Sequence, residues 1–129
     1  MRLLLLLLSL IYAPSAVAHI YLEKEYQNYW CRINGGQTEV RLQDTTRIDC
    51  LTGKYAIEFD FASKWAEAIG QSLYYASCTG KKAGIVLIIE DEKRDLKYLR
   101  RIKNVTDRYN IQVWTIKPED IQPVYNCGN

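Results

Sequence analysis

The sequence predicts a single α/β domain, and three features of its hydrophobic pattern support this prediction. Three short segments between residues 38 and 61 alternate apolar and polar residues, which is typical of an antiparallel meander. The period then changes to a helical one over residues 62–77. Residues 84–89 follow as an uninterrupted apolar run, the pattern of a strand buried on both faces. We therefore expect a mixed sheet with helices packed on it.

Eight elements are predicted, in the order α-β-β-β-α-β-α-β. Residues at three- and four-residue steps predict helices, and alternating or continuous apolar residues predict strands. The helices are expected over residues 20–33, 62–77 and 95–110, and the strands over 38–42, 47–51, 55–61, 84–89 and 111–116. Residues 117–129 contain two prolines and are expected to form an extended tail.

Residues 1–18 have the pattern of a secretory signal. Arg2 gives a positive start, an apolar run extends from Leu3 to Ile11, and Ala16-Val17-Ala18 matches a small-x-small cleavage site. The apolar run is shorter than the roughly 20 residues that span a membrane, although an uncleaved anchor is the alternative interpretation. We therefore expect one exported domain over residues 19–129, either periplasmic or secreted.

The composition disfavours some classes of function. The chain carries 17 basic and 15 acidic residues, a near-neutral balance that does not indicate a strongly basic nucleic-acid binder. His19 is the single histidine, which disfavours a mechanism with a buried histidine base or a histidine-rich metal cage.

Four cysteines follow the predicted signal, namely Cys31, Cys50, Cys78 and Cys127. No two of them have the C-x-x-C spacing of a zinc or redox motif, and an even number in a small exported domain predicts structural disulfides. Cys31 and Cys78, each at the end of a predicted helix, are both candidate partners for Cys50. The pairing that we favour is Cys31–Cys50 with Cys78–Cys127.

Carboxylates lie inside the strand patterns of the meander. Asp49 and Glu58 fall on adjacent strands of a hairpin and can share one ion if their faces coincide, while Glu39 on the preceding strand could assist, through water. Ionised carboxylates near an apolar layer are usually paired or hold a metal. Mg²⁺ binds one or two carboxylates with water and substrate oxygens, and Mn²⁺ suits the same ligands. The pattern therefore predicts a metal site suited to phosphodiester hydrolysis.

The helix after the meander carries polar side chains on one sector. At 100° per residue, Lys64, Gln71 and Tyr75 fall within roughly 60° of one another. Each alone is typical of a solvated helix face, but their convergence favours a shared role beside the carboxylates. Gly70, next to Gln71, destabilises a helix unless a close approach is needed there. The apolar face is predicted on the other side, at Ala62, Trp65, Ala66, Ile69, Leu73 and Ala76.

These residues resemble the PD-(D/E)XK nuclease superfamily, in particular its RecB-like exonucleases and Holliday-junction resolvases. That family has an αβββαβ core, an early acidic residue, then Asp, then Glu-x-Lys on the third strand, and in some members Gln-x-x-x-Tyr on the next helix. Glu39, Asp49, Glu58 and Gln71 to Tyr75 stand in these positions, and the element order matches over about residues 22–89.

The resemblance implies a restriction-endonuclease-like core with an additional C-terminal helix and strand, and it implies a DNA substrate. It assigns Asp49 and Glu58 to the metal with Glu39 assisting, and it assigns Gln71 and Tyr75 to positioning the substrate backbone. The motif lysine two residues after Glu58 is replaced by Asp60. Because some members carry that lysine on the following helix, the resemblance implies that Lys64 orients the attacking water.

Asp60 has three interpretations, as the N-cap of the following helix, as a spare metal ligand or as a substitute for the lysine. We favour the cap, because an aspartate at a strand-to-helix turn accepts hydrogen bonds from free backbone N–H groups.

Two other classes of function remain open. A non-catalytic module that keeps the nuclease fold would bind a metal, a nucleic acid or a protein partner without turnover. A small disulfide-stabilised secreted protein with no active site would carry Asp49 and Glu58 on the solvated face of the meander.

Overall fold

A computed structural model describes residues 17–121, and within them the predicted order of helices and strands is confirmed. The helices are α1 (Glu23–Ile33), α2 (Trp65–Thr79) and α3 (Glu92–Tyr109), and the strands are β1 (Gln37–Arg41), β2 (Arg47–Leu51), β3 (Tyr55–Phe61), β4 (Lys82–Ile88) and β5 (Gln112–Ile116). Most of the predicted signal and all of residues 122–129 lie outside the described residues. The start of the tail is a 3₁₀ turn at Pro118–Asp120 and not extended as predicted, because proline suits the first turn of a helix.

The five strands form one mixed sheet in the order β1-β2-β3-β4-β5. β1, β2 and β3 are antiparallel neighbours, whereas β3, β4 and β5 run parallel to one another. α2 and α3 connect the parallel strands and pack on one face of the sheet, and α1 packs on the other. The chain is therefore of the α/β class, as predicted.

The core has two layers separated by the sheet. One contains Tyr26 of α1 with Phe59 and Val86, and the other contains Ile85 and Leu87 with side chains of α2 and α3. Residues 84–89, which were predicted as a strand buried on both faces, are all buried, and they form most of β4 and the residue after it. No helix within residues 17–121 has the length and apolar character needed to cross a membrane.

The predicted apolar face of the second helix is rotated in the structure. Ala68, Ser72 and Tyr75 are the buried positions of α2, while Ala66 is exposed and Leu73 is 42% exposed. Because these positions all belong to α2, the buried face is set by how the helix packs on the sheet: Ala68 joins the core cluster with Ile85 and Leu87, and Tyr75 packs on Ile48 and Ala56.

The Cys31–Cys50 disulfide is confirmed, and it joins the C-terminal end of α1 to β2. Both cysteines are fully buried. A Cβ atom on Gly36 would lie 2.5 Å from the Cys50 Sγ, so only glycine fits beside the bridge. Cys78 is exposed on α2 and has no disulfide partner among residues 17–121. Its predicted bridge to Cys127 lies outside the described residues.

The chain before α1 is fastened to the end of β4 by Glu90. The carboxylate of Glu90 accepts hydrogen bonds from the backbone N–H of Ile20 at 2.9 Å and from the Tyr26 hydroxyl at 2.8 Å. The Nδ1 of His19 lies 2.8 Å from the other carboxylate oxygen, and its ring stacks on Phe61. The single histidine therefore contacts Glu90 and Phe61, away from the predicted metal ligands.

Candidate metal-binding cleft

A cleft of about 490 Å³ opens between α1, the β1–β2 hairpin and α2. It brings together five of the six predicted site residues, namely Glu39, Asp49, Glu58, Gln71 and Tyr75. The other side chains that line it come mainly from α1 and from the β1–β2 turn. They are Glu23, Lys24, Gln27, Thr45, Thr46 and Arg47.

The strand register explains why three acidic residues from three strands meet. Cys50 pairs with β1 on one side and with β3 on the other, so the three strands meet next to Asp49. All three carboxyl groups line the cleft, and those of Glu39 and Glu58 both act on that of Asp49. We call these three carboxyl groups the carboxylate row.

Asp49 and Glu58 form a carboxyl pair in which Glu58 is buried and Asp49 is half-buried. The Glu58 side chain is 6% exposed, and its Oε2 atom is buried without a hydrogen-bond partner in the described part of the chain. The Oδ2 of Asp49 accepts the Phe59 backbone N–H at 2.8 Å, which fixes its orientation. Burial raises the pKa of both carboxyl groups, and the Asp49 carboxylate raises that of Glu58 further. The pair is therefore suited to share a proton or a bound cation.

This geometry also interrupts the regular alternation along β2. Alternation predicts that Ile48 and Cys50 lie in the same layer, whereas Ile48 packs with Tyr75 of α2 and Cys50 packs with α1. The pairing between β2 and β3 ends beside Cys50, where the Asp49 side chain takes over the hydrogen bond to β3.

Glu39 is held in an unusual backbone conformation by its partners. Its φ angle is +55°, a left-handed value that costs on the order of 1–3 kcal/mol in a non-glycine residue. The Nε2 of Gln27 donates to the Oε1 of Glu39 at 3.0 Å and to the backbone oxygen of Asp49 at 2.7 Å. The guanidinium of Arg47 lies 3.1 Å from the other oxygen of Glu39. These contacts connect α1 with the carboxylate row.

Three residues of α1, namely Glu23, Lys24 and Gln27, line the cleft and were not predicted as part of the site. Gln27 is buried in the cleft wall, and Glu23, in the first turn of α1, lines the cleft. Burial raises the pKa of Glu23, whose charged neighbours include Lys64, Glu67 and Glu39. An acidic residue in the first helical turn is ordinarily explained by the helix dipole, so no pattern in the sequence indicated a role for Glu23 in the site.

Gln71 and Tyr75 lie together on the α2 wall of the cleft. Tyr75 is buried against Ile48 and Ala56. Burial raises the pKa of its hydroxyl, and the Glu58 and Asp49 carboxylates raise it further, so the tyrosine is a hydrogen-bond donor at neutral pH. The two side chains, one helical turn apart, present an amide and a hydroxyl toward the carboxylate row.

Lys64 is not among the residues that line the cleft. Its Nζ lies 3.9 Å from the Oδ1 of Asp60, and its side chain is 57% exposed. Lys64 is the last residue of the 3₁₀ turn and the N-cap of α2, so the regular α-helical spacing that relates Gln71 to Tyr75 does not extend to it. The catalytic role of Lys64 stays a prediction.

Asp60 does not cap the following helix as predicted. Phe61 and Lys64 occupy the N-cap positions of the 3₁₀ turn and of α2, and neither end has a side-chain cap hydrogen bond. Asp60 is buried instead. Burial raises its pKa to about 7, with Glu23 adding to the shift and Lys64 opposing it.

The residues present suit an ion such as Mg²⁺, which keeps several water ligands, better than an ion that takes all of its ligands from the protein. No group of three or more Asp, Glu, His or Cys side chains within residues 17–121 is placed to hold a metal ion. Mg²⁺ needs only one or two carboxylates, because water and substrate oxygens complete its shell. The Asp49–Glu58 pair, with its unpaired Glu58 oxygen, meets that requirement.

Comparisons with protein-family models, with curated proteins and with solved structures gave no match for this chain. The resemblance to PD-(D/E)XK nucleases therefore rests on its residues and on the order of its elements. The α/β fold with its five-stranded mixed sheet and the Cys31–Cys50 disulfide stand independently of that resemblance.

Proposed function

We propose that this protein is an exported, metal-dependent nuclease that hydrolyses DNA phosphodiester bonds at the Asp49–Glu58 pair. The observation that carries the proposal is the Asp49–Glu58 pair, which lines the cleft and includes a buried Glu58 oxygen with no hydrogen-bond partner among the described residues. Burying a carboxyl group without a partner destabilises a fold. A bound divalent cation would offset that cost by pairing with both carboxylates.

The walls of the cleft suit a nucleic-acid backbone. Hydrolysis needs positive charge on the reacting phosphate and a water in line with the leaving oxygen, and a bound divalent cation would supply the Lewis-acid part of that chemistry. Lys24 and Arg47 line the cleft and are suited to phosphate oxygens. Gln71 and Tyr75 offer hydrogen-bond donors from the opposite wall and would orient the substrate backbone.

Export is the second part of the proposal. The predicted signal over residues 1–18 supports it, and the Cys31–Cys50 disulfide is compatible with it. Disulfides persist in oxidising compartments such as the periplasm and the extracellular space, and are rare in the cytosol. In such a compartment the substrate would be released, foreign or incoming DNA.

The proposal is tested by incubating the oxidised protein, purified after export, with linear, circular and single-stranded DNA in Mg²⁺ or Mn²⁺. We expect cleavage that EDTA abolishes. Asp49→Asn and Glu58→Gln should each lower the rate by more than the roughly 10- to 100-fold typical of residues that only orient a metal ligand.

The matched control is Asp107→Asn, which removes an exposed carboxylate of α3 that does not line the cleft and should leave the rate within about two-fold. Absence of cleavage of all three substrates, or cleavage that survives both site substitutions, would contradict the enzymatic proposal.

A non-catalytic binding module is the second candidate, and the position of Lys64 favours it. The ammonium that the resemblance assigns to the attacking water lies beside Asp60, outside the cleft lining. This candidate predicts Mn²⁺ or DNA binding that depends on Asp49 and Glu58 without any turnover, so a mobility-shift measurement beside the cleavage assay separates the two.

A stable protein with no active site is compatible with the disulfide, but it does not explain a Glu58 that is buried.

A further inference from the structure

The outer face of α3 carries a concentration of positive charge. α3 contains seven of the chain's 17 basic residues but only three of its 15 acidic residues, and all seven basic side chains are exposed. At 100° per residue, six of the seven fall in a sector of about 120° that contains no acidic residue and lies opposite the buried residues of the helix. We call these six residues the basic face of α3, namely Lys93, Arg94, Lys97, Arg100, Arg101 and Arg108.

Charges of one sign on one side of a helix repel each other. Lys93 and Lys97, and likewise Lys97 and Arg101, are four residues apart, a spacing at which like charges destabilise a helix. Arg94 is paired with Asp95 at 2.7 Å, but the other five residues of the basic face form no ion pair within residues 17–121. A face that is only solvated ordinarily carries both signs. The single sign is better explained by a negatively charged partner.

Two of these charges are held on the helix surface by Tyr98. The Nζ of Lys97 lies 4.9 Å from the centre of the Tyr98 ring, and the Cζ of Arg101 lies 5.6 Å from it. Tyr98 packs against the core cluster that α2 and α3 share. Contact with an anchored ring restricts both long side chains before a partner arrives, which reduces the entropy lost on binding.

The basic face fits the backbone of a nucleic-acid duplex. Leu96 and Tyr109, the large apolar side chains exposed on α3, both lie outside the face. Stable binding to a lipid surface needs apolar or lipid anchors in addition to positive charge, and binding to single strands uses exposed aromatic rings on which bases stack. Lysine and arginine without either are suited to the phosphates of a duplex.

We propose that the basic face of α3 binds the phosphate backbone of duplex DNA and holds the substrate beside the cleft. α3 packs next to α2, whose Gln71 and Tyr75 form a wall of the cleft, and packed helices have axes about 10 Å apart. With 18 residues, α3 extends about 27 Å, the length of about eight base pairs. The inference rests on the proposed function, because it names the form of DNA that the cleft receives. The resemblance covers about residues 22–89 and assigns no role to α3.

The test is the affinity of the oxidised protein for a labelled duplex about three times as long as α3, measured by fluorescence anisotropy in EDTA at several salt concentrations. The triple variant Lys93→Gln, Lys97→Gln, Arg101→Gln should bind about ten-fold more weakly or worse. Each lost phosphate contact reduces the slope of log affinity against log salt by about 0.9, so the slope should become shallower by about 2–3.

The matched control removes the same types of charge elsewhere, through Arg32→Gln, Lys54→Gln and Lys82→Gln. These residues are exposed and do not line the cleft, so the control should keep the wild-type affinity within about two-fold. An equal loss in both triple variants would overturn the assignment to α3. Exchange of lysine and arginine at positions 93, 97 and 101 keeps the charge and should keep most of the affinity, which separates a charge effect from a folding defect.

A single strand of the same length and vesicles of phosphatidylcholine with phosphatidylglycerol are the competing ligands, and both should bind more weakly than the duplex. Tighter binding of the single strand would overturn the proposal. Vesicle binding that the α3 variant loses while its duplex binding stays unchanged would also overturn it.

Cleavage measured in Mg²⁺ separates this inference from the proposed function. The α3 triple variant should raise the KM for duplex cleavage and leave kcat within about two-fold. Cleavage with an unaltered KM in that variant overturns the α3 surface and leaves the nuclease proposal standing. Duplex binding that requires α3 without any cleavage supports the α3 surface and overturns the enzymatic proposal. Neither binding nor cleavage by the wild type overturns both.

Discussion

Glu58 is the residue at which stability and the proposed function are most directly opposed. Its carboxyl group is buried, one of its oxygens lacks a partner, and Asp49 and Asp60 both add negative charge nearby. A residue kept in such surroundings lowers the stability of the empty protein and is retained where it serves a site. Burial destabilises the Asp49 carboxylate less than that of Glu58, because Asp49 accepts a hydrogen bond from the β3 backbone.

Replacement of Glu58 by glutamine is therefore expected to stabilise the metal-free protein at neutral and higher pH. In the folded chain the pKa of Glu58 lies well above its ordinary value of 4.5, so the unfolded chain ionises first. Wild-type stability then falls as pH rises from about 4.5 toward the raised folded pKa, and the uncharged glutamine avoids this loss. We expect Glu58→Gln to gain about 1–3 kcal/mol at pH 8 and none at pH 4.

Urea denaturation in EDTA at pH 4, 6 and 8 measures this difference, with Glu67→Gln as the control that should show no such trend. Addition of Mn²⁺ should reverse the ranking, because ligand that binds only the folded wild type adds to its stability. Equal unfolding free energies for both proteins at every pH would show that Glu58 is not destabilising.

At the scale of the element, α2 was predicted with nearly correct bounds but with the wrong orientation. β2 and β3 match their predicted bounds because clear alternation is flanked by polar turns at residues 43–46 and 52–54. For α2, the face that is buried depends on how the helix packs on the sheet, which a single sequence does not contain. Lys64 precedes α2 in a 3₁₀ turn, a start that the sequence pattern also did not predict.

Replacement by alanine is expected to have opposite effects on stability at Gly70, inside α2, and at Gly80, the C-cap of α2. Gly70 lies inside the helix on its exposed face, and an added Cβ would meet nothing within 4 Å, so the close approach expected there is absent. Gly70→Ala should therefore raise the unfolding free energy by about 0.5–1 kcal/mol. Gly80 ends the helix at a φ angle of +68°, so Gly80→Ala should lower the unfolding free energy by about 1 kcal/mol although space is available.

Thermal and urea unfolding of the two alanine variants checks this pair, each acting as the control for the other because both substitutions add one methyl group to open space. A loss of stability in Gly70→Ala would restore the case for a close approach at that position.

At the scale of the whole molecule, the cleft brings α1 beside the β1–β2–β3 strands, a contact that no pattern in the sequence predicted. Glu39, Asp49 and Glu58 could be predicted together because short turns fix the neighbours in a meander. Gln27 and Glu23 could not, because no local pattern says where α1 docks on the sheet. Their contribution depends on the packing of α1 and on the Cys31–Cys50 bridge.

Removal of that bridge is expected to weaken both the fold and the site. The cross-link joins residues 19 positions apart, a loop for which loss of the disulfide costs about 2–4 kcal/mol of unfolding free energy. The Cys31→Ala, Cys50→Ala double variant should lose this amount in urea denaturation. It should also bind Mn²⁺ more weakly, since the α1 residues Gln27 and Glu23 are less firmly held.

Cys78→Ser serves as the comparison, because Cys78 is exposed on α2 and outside this bridge. A loss of stability in Cys78→Ser as large as in the double variant would show that the predicted Cys78–Cys127 bridge contributes equally. Unchanged stability in the Cys31 and Cys50 double variant would contradict a structural role for the bridge.

The bridge between α1 and β2 also sets an order of events for the nuclease proposed above. A newly made chain with reduced thiols carries Asp49 and Glu58 on their hairpin, but nothing covalent yet holds Gln27 and Glu23 against them. Oxidation of Cys31 and Cys50 is then a maturation step that completes the cleft. A producing cell would be shielded from the full hydrolytic activity until the chain had reached an oxidising compartment, without the need for a separate inhibitor.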